Sequence, residues 1–161
     1  MIFETHDKVV SEEEQLSIFK YCVQAEYSWG EIDKQGSPET GLIHEIPSDV
    51  PIHELLKERA LDVAPSVLEG LSLYRMYINL FAPSEKPYFH SDGPEGQITI
   101  LYYPHLEWDL DDGGETLFFI NNTLYGIPPM PNRMVFFDAP ILHRATTFRS
   151  QHRFSVALKY K

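Results

Sequence analysis

The chain has 161 residues, which is enough for one domain with a single sizeable core. Its hydrophobic share of 43% and charged share of 23% are typical of a globular protein, and no apolar run approaches the roughly 20 residues that a membrane-spanning helix needs. The net charge of −11 argues against a nucleic acid as the main partner, because binding to phosphates needs a cationic surface. We therefore expect neither nucleic acid nor membrane as a partner.

The N-terminus and the cysteine content indicate a reducing, cytoplasmic setting. The first ten residues, MIFETHDKVV, lack a basic segment followed by an apolar stretch, so no signal peptide is predicted. Cys22 is the only cysteine, which excludes an intramolecular disulfide. The glycosylation sequon at 121–123 is accordingly interpreted as a loop.

Two helices are predicted in the first 70 residues. Ser11 and Glu14 form a candidate capping box at the start of a helix over 11–26. Apolar residues at helical spacing in this helix are Leu16, Phe19 and Val23. Pro51 opens a second helix over 51–64. The segment 31–51, rich in Gly, Pro and charge, predicts a loop with one edge strand.

From residue 71 the pattern changes to short strand-like runs separated by turns. These runs predict an antiparallel barrel or sandwich, with the helices buttressing one sheet in an α+β arrangement. We expect a single domain over 1–161, with a helical part over about 1–70 and a barrel over about 71–161. The seven runs are 71–81, 86–92, 96–104, 113–120, 133–140, 142–148 and 153–161.

His90 and Asp92 are two residues apart in one of these runs, so on a strand both side chains would point to the same face. A second apolar run delivers His143 from elsewhere in the sheet. Two His and one carboxylate on one side of a metal leave positions open for a cosubstrate and O₂, as non-haem Fe(II) requires. Taken singly, His90 and Asp92 also fit an ordinary pair at the protein surface, and His143 also fits a buried core histidine.

Arg153 and Ser155 follow ten residues after His143 and share one face of the final strand. Arginine grips a carboxylate through two parallel charge-assisted hydrogen bonds, and a hydroxyl two residues along the strand adds a third. The alternative is a simple ion pair with one of the 24 acidic side chains.

The order of H-x-D, a distal His and R-x-S resembles the 2-oxoglutarate- and Fe(II)-dependent oxygenases, and within them the prolyl-4-hydroxylase-like branch. The resemblance covers the C-terminal 90 residues. It rests on the segments YINLFAPSEKPYFHSD, ITILYYPHLEWDLDDGGETLFF, PPMPNRMVFFDAPILHRAT and HRFSVALKY.

This resemblance implies a ligand set and a cosubstrate site. His90, Asp92 and His143 would bind Fe(II), and Arg153 would hold the distal carboxylate of 2-oxoglutarate with help from Ser155. The implied cofactors are Fe(II), 2-oxoglutarate and O₂, with ascorbate as a stimulant. The implied fold is a double-stranded β-helix, a jelly-roll or cupin-like barrel with the N-terminal helices packed on one sheet.

Three further positions follow from the same resemblance. Asn79 and Tyr103 lie on strands where this branch often places groups that contact 2-oxoglutarate. Phe81 stands where many relatives have Tyr, so one familiar cosubstrate hydroxyl is missing. Related halogenases replace the metal-binding carboxylate with a small residue, so Asp92 indicates hydroxylation.

The resemblance implies a proline as substrate, in a peptide or free, whereas the compact chain equally fits a small metabolite or a sugar.

We expect the loops over 30–50 and 104–114 to shape the substrate entrance, with Gly113 and Gly114 forming a tight turn. His105 is interpreted as a surface residue. Two other classes remain open: a Zn²⁺-dependent hydrolase with the same ligands, and a non-catalytic β-barrel binding module.

Overall fold

The elements are those of a computed structural model that describes residues 1–33 and 35–161. Within these residues there are two α-helices, α1 (Glu12–Gln24) and α2 (Pro51–Val63), and a short 3-10 helix at Leu110–Asp112. The strands are β1 (Phe3–Asp7), β2 (Ser28–Trp29), β3 (Leu42–Glu45), β4 (Leu73–Phe81), β5 (Ile98–Tyr103), β6 (Thr116–Ile120), β7 (Thr123–Ile127), β8 (Arg133–Asp138), β9 (Leu142–Ala145) and β10 (Arg153–Tyr160).

The strands form two antiparallel sheets. The larger sheet has the order β1-β8-β5-β10-β4-β3-β2, and the smaller one has the order β7-β6-β9. Side chains between the sheets form one apolar cluster, and the other face of the larger sheet packs against residues of both helices. This arrangement confirms the predicted double-stranded β-helix with helices on one sheet.

Strand β10 shows how the two faces of the larger sheet are divided. It pairs with β4 on one side and with β5 on the other. Val156, Leu158 and Tyr160 point into the core beneath the helices. The alternate positions, from Arg153 to Lys159, are buried on the opposite face, because successive side chains of a strand point to opposite sides.

Helix α1 begins with the predicted capping box, but of its three predicted apolar residues Phe19 alone packs against the core. The Ser11 side chain accepts a hydrogen bond from the Glu14 backbone, and the Glu14 side chain accepts one from the Ser11 backbone. Leu16 and Val23 are 39% and 56% exposed. The buried residues of the helix are Gln15, Ile18 and Cys22.

The first 70 residues contribute strands as well as helices. The predicted strand between the helices is β3, which pairs with both β2 and β4, so β2 rather than β3 lies at the sheet edge. Strand β1 was not predicted from the sequence, and it pairs with β8 at the opposite edge. The first 70 residues therefore contain both helices and three strands of the larger sheet.

Two predictions in the second half are wrong in detail. The run 86–92 is not a strand, and only His90 forms an isolated bridge, with His143. The sequon does not lie wholly in a loop, because Thr123 begins β7. Asn121 and Asn122 have positive φ angles of 50° and 61°, as a two-residue hairpin turn requires.

None of the described helices is both long enough and apolar enough to span a membrane.

We predict that Ser11→Ala lowers the free energy of unfolding by about 1 kcal/mol, because it leaves a backbone N–H of the first turn of α1 without its acceptor. Urea unfolding followed by circular dichroism measures the change. Ser66→Ala, at an exposed serine outside the helices, is the matched control and should change stability by much less. Equal losses in the two variants would contradict a stabilising cap.

Candidate metal centre and cosubstrate pocket

His90, Asp92 and His143 converge at one point of the barrel. Each offers a ligand atom, and these atoms all lie within 4.8 Å of one another. The Nε2 atom of His90 lies 3.7 Å from Oδ1 of Asp92, and Nε2 of His143 lies 3.4 Å from Oδ2. Three donors at this spacing can bind one metal ion.

Backbone hydrogen bonds, rather than a regular strand, hold the H-x-D segment in place. The amide of His90 donates to the carbonyl of His143 at 3.1 Å, and the amide of His143 donates back at 2.9 Å. The amide of Asp92 donates to the Ala139 carbonyl at 2.8 Å. Both ends of the segment are thereby fixed against the chain around β9.

Both imidazoles have the tautomer that a metal needs. In His90 the Nδ1 atom lies 2.9 Å from the carbonyl oxygen of Tyr88, and in His143 it lies 2.9 Å from that of Ile141. A carbonyl only accepts, so each Nδ1 carries the proton and each Nε2 keeps a free lone pair. Asp33 adds a carboxylate oxygen 3.6 Å from Nδ1 of His90.

The electrostatics of the cluster favour a neutral imidazole beside a charged carboxylate. Burial lowers the pKa of His143 to about 4, although the Asp92 carboxylate opposes this shift. Burial raises the pKa of Asp92, but the positive charges of His143, when protonated, and of Lys159 outweigh it and bring the pKa to about 2. At neutral pH both groups are therefore deprotonated and able to bind a cation.

Arg153 is buried, and its observed hydrogen bonds are to uncharged groups. Its side chain is 1% exposed, its Nε donates to the Gly114 carbonyl at 2.7 Å, and one terminal nitrogen donates to Oγ1 of Thr116 at 2.8 Å. Among the described residues no acidic side chain forms an ion pair with it. A buried charge of this kind requires a counter-ion, so the alternative of an ordinary ion pair loses its support.

Tyr103 and Gly114 support Arg153 from behind. The Tyr103 hydroxyl hydrogen-bonds to Oγ1 of Thr116 at 2.7 Å, and the guanidinium carbon lies 5.4 Å from the centre of the Tyr103 ring. Gly113 and Gly114 have φ angles near 80°, as the predicted tight turn requires. A Cβ on Gly114 would lie 2.9 Å from the Trp108 ring, so this position needs glycine.

A cavity of about 220 Å³ joins the cluster to Arg153. Its lining includes His90, Asp92, His143, Arg153, Ser155, Asn79 and Phe81. Ser155 and Asn79 face each other across β10 and β4. Tyr103 is not among the described residues that line this cavity.

The two predicted entrance loops contribute differently. Residues 31–33 and Thr40 of the first loop line the cavity, whereas Lys34 lies outside the described residues. Asp33 anchors this loop, since its carboxylate accepts hydrogen bonds from the Thr40 hydroxyl at 2.8 Å and from the Tyr88 amide at 2.7 Å. The described residues of 104–114 do not line the cavity, but the Gly114 carbonyl holds Arg153.

Several residues around the site were not predicted from the sequence. Thr116, Asp33 and Lys159 carried no motif, although each lines the cavity. The interpretation of His105 as a surface residue is wrong, because its side chain is 2% exposed and its Nε2 accepts a hydrogen bond from the Phe154 amide at 3.0 Å. The strand-like pattern of 153–161 placed Lys159 on the same face as Arg153, which was the one available signal.

The donor set fits a non-haem iron. Two neutral imidazoles and one carboxylate form the two-His, one-carboxylate arrangement that leaves coordination positions open for other ligands. Its position on the cavity that also contains Arg153 suits a ligand with one end at the metal and a carboxylate at the other end.

The comparison with known families agrees with this geometry. The sequence profile of the 2OG-Fe(II) oxygenase superfamily matches residues 76–160, which is more than half of the chain. No curated protein sequence matches the chain. The chain belongs to the 2OG-Fe(II) oxygenase superfamily, an enzyme class that uses Fe(II) and 2-oxoglutarate.

Solved structures show the same fold at low sequence identity. A prolyl-4-hydroxylase from Pseudomonas putida has a TM-score of 0.80 and 13% identity, over 99% of this chain and 91% of that one. A prolyl hydroxylase from Trichoplax adhaerens, in complex with a hypoxia inducible factor peptide fragment, has a TM-score of 0.79 and 18% identity, over 98% and 82%. HygX from Streptomyces hygroscopicus, with nickel, 2-oxoglutarate and hygromycin B bound, has a TM-score of 0.77 and 14% identity, over 98% and 82%.

We predict that His105 makes the fold sensitive to acid. Burial lowers its pKa from 6.5 to about 3, so the unfolded chain binds a proton here more readily than the folded one. The contribution of the neutral imidazole to stability is therefore complete above pH 6.5 and is lost as the pH falls towards about 3. Urea unfolding between about pH 7 and about pH 4 measures this loss.

The variant His105→Gln keeps an acceptor for the Phe154 amide but does not titrate in this range. We expect it to lose less stability than the unmodified protein over the same change of pH. His152→Gln, at an exposed histidine, is the control and should follow the unmodified protein. Equal slopes for all three proteins would show that His105 has no part in the acid sensitivity.

Proposed function

We propose that the protein is a 2-oxoglutarate- and Fe(II)-dependent hydroxylase of an unactivated C–H bond. In this proposal His90, Asp92 and His143 bind the metal, and Arg153 with Ser155 binds the distal carboxylate of 2-oxoglutarate. The observation that carries it is a buried guanidinium, without a carboxylate partner among the described residues, on the same cavity as the three metal-binding side chains.

The side chains have separate tasks in this proposal. Arg153 is fixed by the Gly114 carbonyl and by Thr116, so it meets the cosubstrate carboxylate with little loss of conformational freedom. Ser155 and Asn79 add polar groups on the same wall of the cavity. Tyr103 acts through Thr116, and the Phe81 ring supplies an apolar surface where a hydroxyl would otherwise be.

When bound, Fe(II) and 2-oxoglutarate supply the oxidation, in which one oxygen atom of O₂ enters the substrate as a hydroxyl and the other enters succinate as CO₂ is lost. Asp92 provides a carboxylate ligand and so leaves no place for a halide.

A prolyl residue in a peptide is the first substrate to test. Two of the three structural neighbours described above are prolyl hydroxylases, and one of these is in complex with a peptide fragment. A small molecule is the second candidate, because HygX binds hygromycin B on a similar fold and the cavity here is only about 220 Å³. Succinate release from 2-oxoglutarate, measured with Fe(II) and ascorbate, distinguishes a hydroxylase from a Zn²⁺ hydrolase or a binding module.

Mutation of a residue that supports a metal ligand lowers metal affinity by about 10- to 100-fold. We predict that His143→Ala, which removes a ligand itself, lowers the affinity for divalent metal by more than roughly 100-fold. It removes one of three ligands and leaves the neighbouring Asp92 in place. Titration calorimetry with Mn(II) under anaerobic conditions measures the change. His152→Ala is the control, and metal binding that survives His143→Ala would refute the ligand assignment.

We predict that Arg153→Gln weakens binding of 2-oxoglutarate by at least about 30-fold, since removing one member of a buried charge pair costs roughly 2 kcal/mol or more. Calorimetry on the Mn(II)-loaded protein measures the dissociation constant. Arg149→Gln is the matched control, because Arg149 is exposed and donates to the Asp111 carbonyl. An unchanged dissociation constant for Arg153→Gln would remove the cosubstrate assignment.

A further inference from the structure

Lys159 is a buried cation that the proposed reaction does not use. It lies on β10 six residues after Arg153, is 5% exposed and lines the same cavity. Its neighbours in register are Thr99 on β5 and Arg75 on β4. The alternation of β10 therefore places a cation at each end of one strand face, Arg153 at one end and Lys159 at the other.

The two cations have different partners. Arg153 has no carboxylate partner among the described residues, whereas the Lys159 ammonium is in direct contact with Oδ2 of Asp92. The ammonium also donates to Oγ1 of Thr99 at 3.4 Å, and it lies 5.8 Å from the centre of the Tyr77 ring. In the described part of the chain, Asp92 is its only ion-pair partner. Arg75 is instead paired with Glu45 and Glu31.

This contact restricts the orientation of Asp92. The Asp92 carboxylate can rotate about the side-chain bonds. The segment before Asp92 is not a regular strand, so the backbone alone does not restrict this rotation. Lys159 and Thr99 form a fixed support on the sheet beneath it. An ammonium has no lone pair and cannot itself be a metal ligand.

We propose that Lys159 is the positioning residue of the metal-binding carboxylate. By holding Oδ2 of Asp92 it presents the carboxylate to the metal in one orientation, alongside Nε2 of His90 and of His143. This inference rests on the proposed function, because it takes Asp92 as a metal ligand. It adds a requirement for Lys159 that the ligand set alone does not contain.

The charge of Lys159 and its orienting contact with Asp92 have opposite effects on metal affinity. As a positive charge beside a dication, Lys159 weakens metal binding, so that its removal on this ground alone would tighten binding. As an orienting donor it strengthens binding, and loss of such partners costs about 10- to 100-fold in affinity. The direction of the change therefore decides which effect is larger.

Lys159→Met tests the proposal through Mn(II) affinity without cosubstrate or turnover. We expect the dissociation constant for Mn(II) to rise about 10- to 100-fold, and the electron paramagnetic resonance spectrum of the bound Mn(II) to change, because the carboxylate has lost its orientation. Lys57→Met is the matched control, since Lys57 is half-exposed on α2 and pairs with Glu54. An unchanged or lower dissociation constant for Lys159→Met would overturn the proposal.

Lys159→Gln provides a second variant should the Met variant fail to fold. It keeps an N–H donor but not the charge, and we expect an affinity between those of the unmodified protein and Lys159→Met. Binding by Lys159→Gln as tight as that of the unmodified protein would show that the charged contact is not required. Failure of the unmodified protein to bind Mn(II) would instead count against the proposed function as a whole.

Discussion

Strand β10 lies between β4 and β5 in the larger sheet, and its side chains alternate between the helix-covered core and the cavity. This alternation places Arg153, Ser155 and Lys159 on one face at fixed intervals, because the side-chain period of a strand is two. The opposite face contributes Val156, Leu158 and Tyr160 to the core. Burial of the apolar face therefore fixes the register of the polar face.

The smaller sheet completes the site by bringing two remote segments together. The reciprocal backbone hydrogen bonds between His90 and His143 join the irregular H-x-D segment to β9. In turn, β6 carries Thr116 next to β9, and Thr116 accepts a hydrogen bond from Arg153 of the larger sheet. The packing of the smaller sheet against the larger one therefore positions both the proposed metal ligands and the proposed cosubstrate-binding arginine.

The buried charges of the cavity differ in how they are compensated. Lys159 and Asp92 neutralise one another, so this end of the cavity is balanced before any metal enters. Among the described residues Arg153 hydrogen-bonds to the uncharged groups of Gly114 and Thr116 and forms no ion pair, so positive charge remains at this end of the cavity. An uneven distribution of this kind favours a dianionic ligand that spans the cavity over a neutral one.

Patterns that depend on neighbours in the sequence were predicted well. The capping box of α1, the proline that opens α2 and most strands of the second half follow from local propensity and alternation. The buried face of α1 was not predictable, because apolar residues occur on two of its faces and only contact with the sheet selects Ile18 and Cys22. Strand β1 was missed because five mostly polar residues become a strand only by pairing with β8.

The sequence by itself determined the chemical types at the site: two imidazoles, one carboxylate and an arginine followed by a serine, in an order that resembles one enzyme family. Only the tertiary structure decided what surrounds them. Thr116, Asp33 and Lys159 lie far from their partners in the chain and meet them through sheet register and loop contacts. Such contacts leave no local pattern, because each depends on two segments whose relative position is set by the packing of the whole barrel.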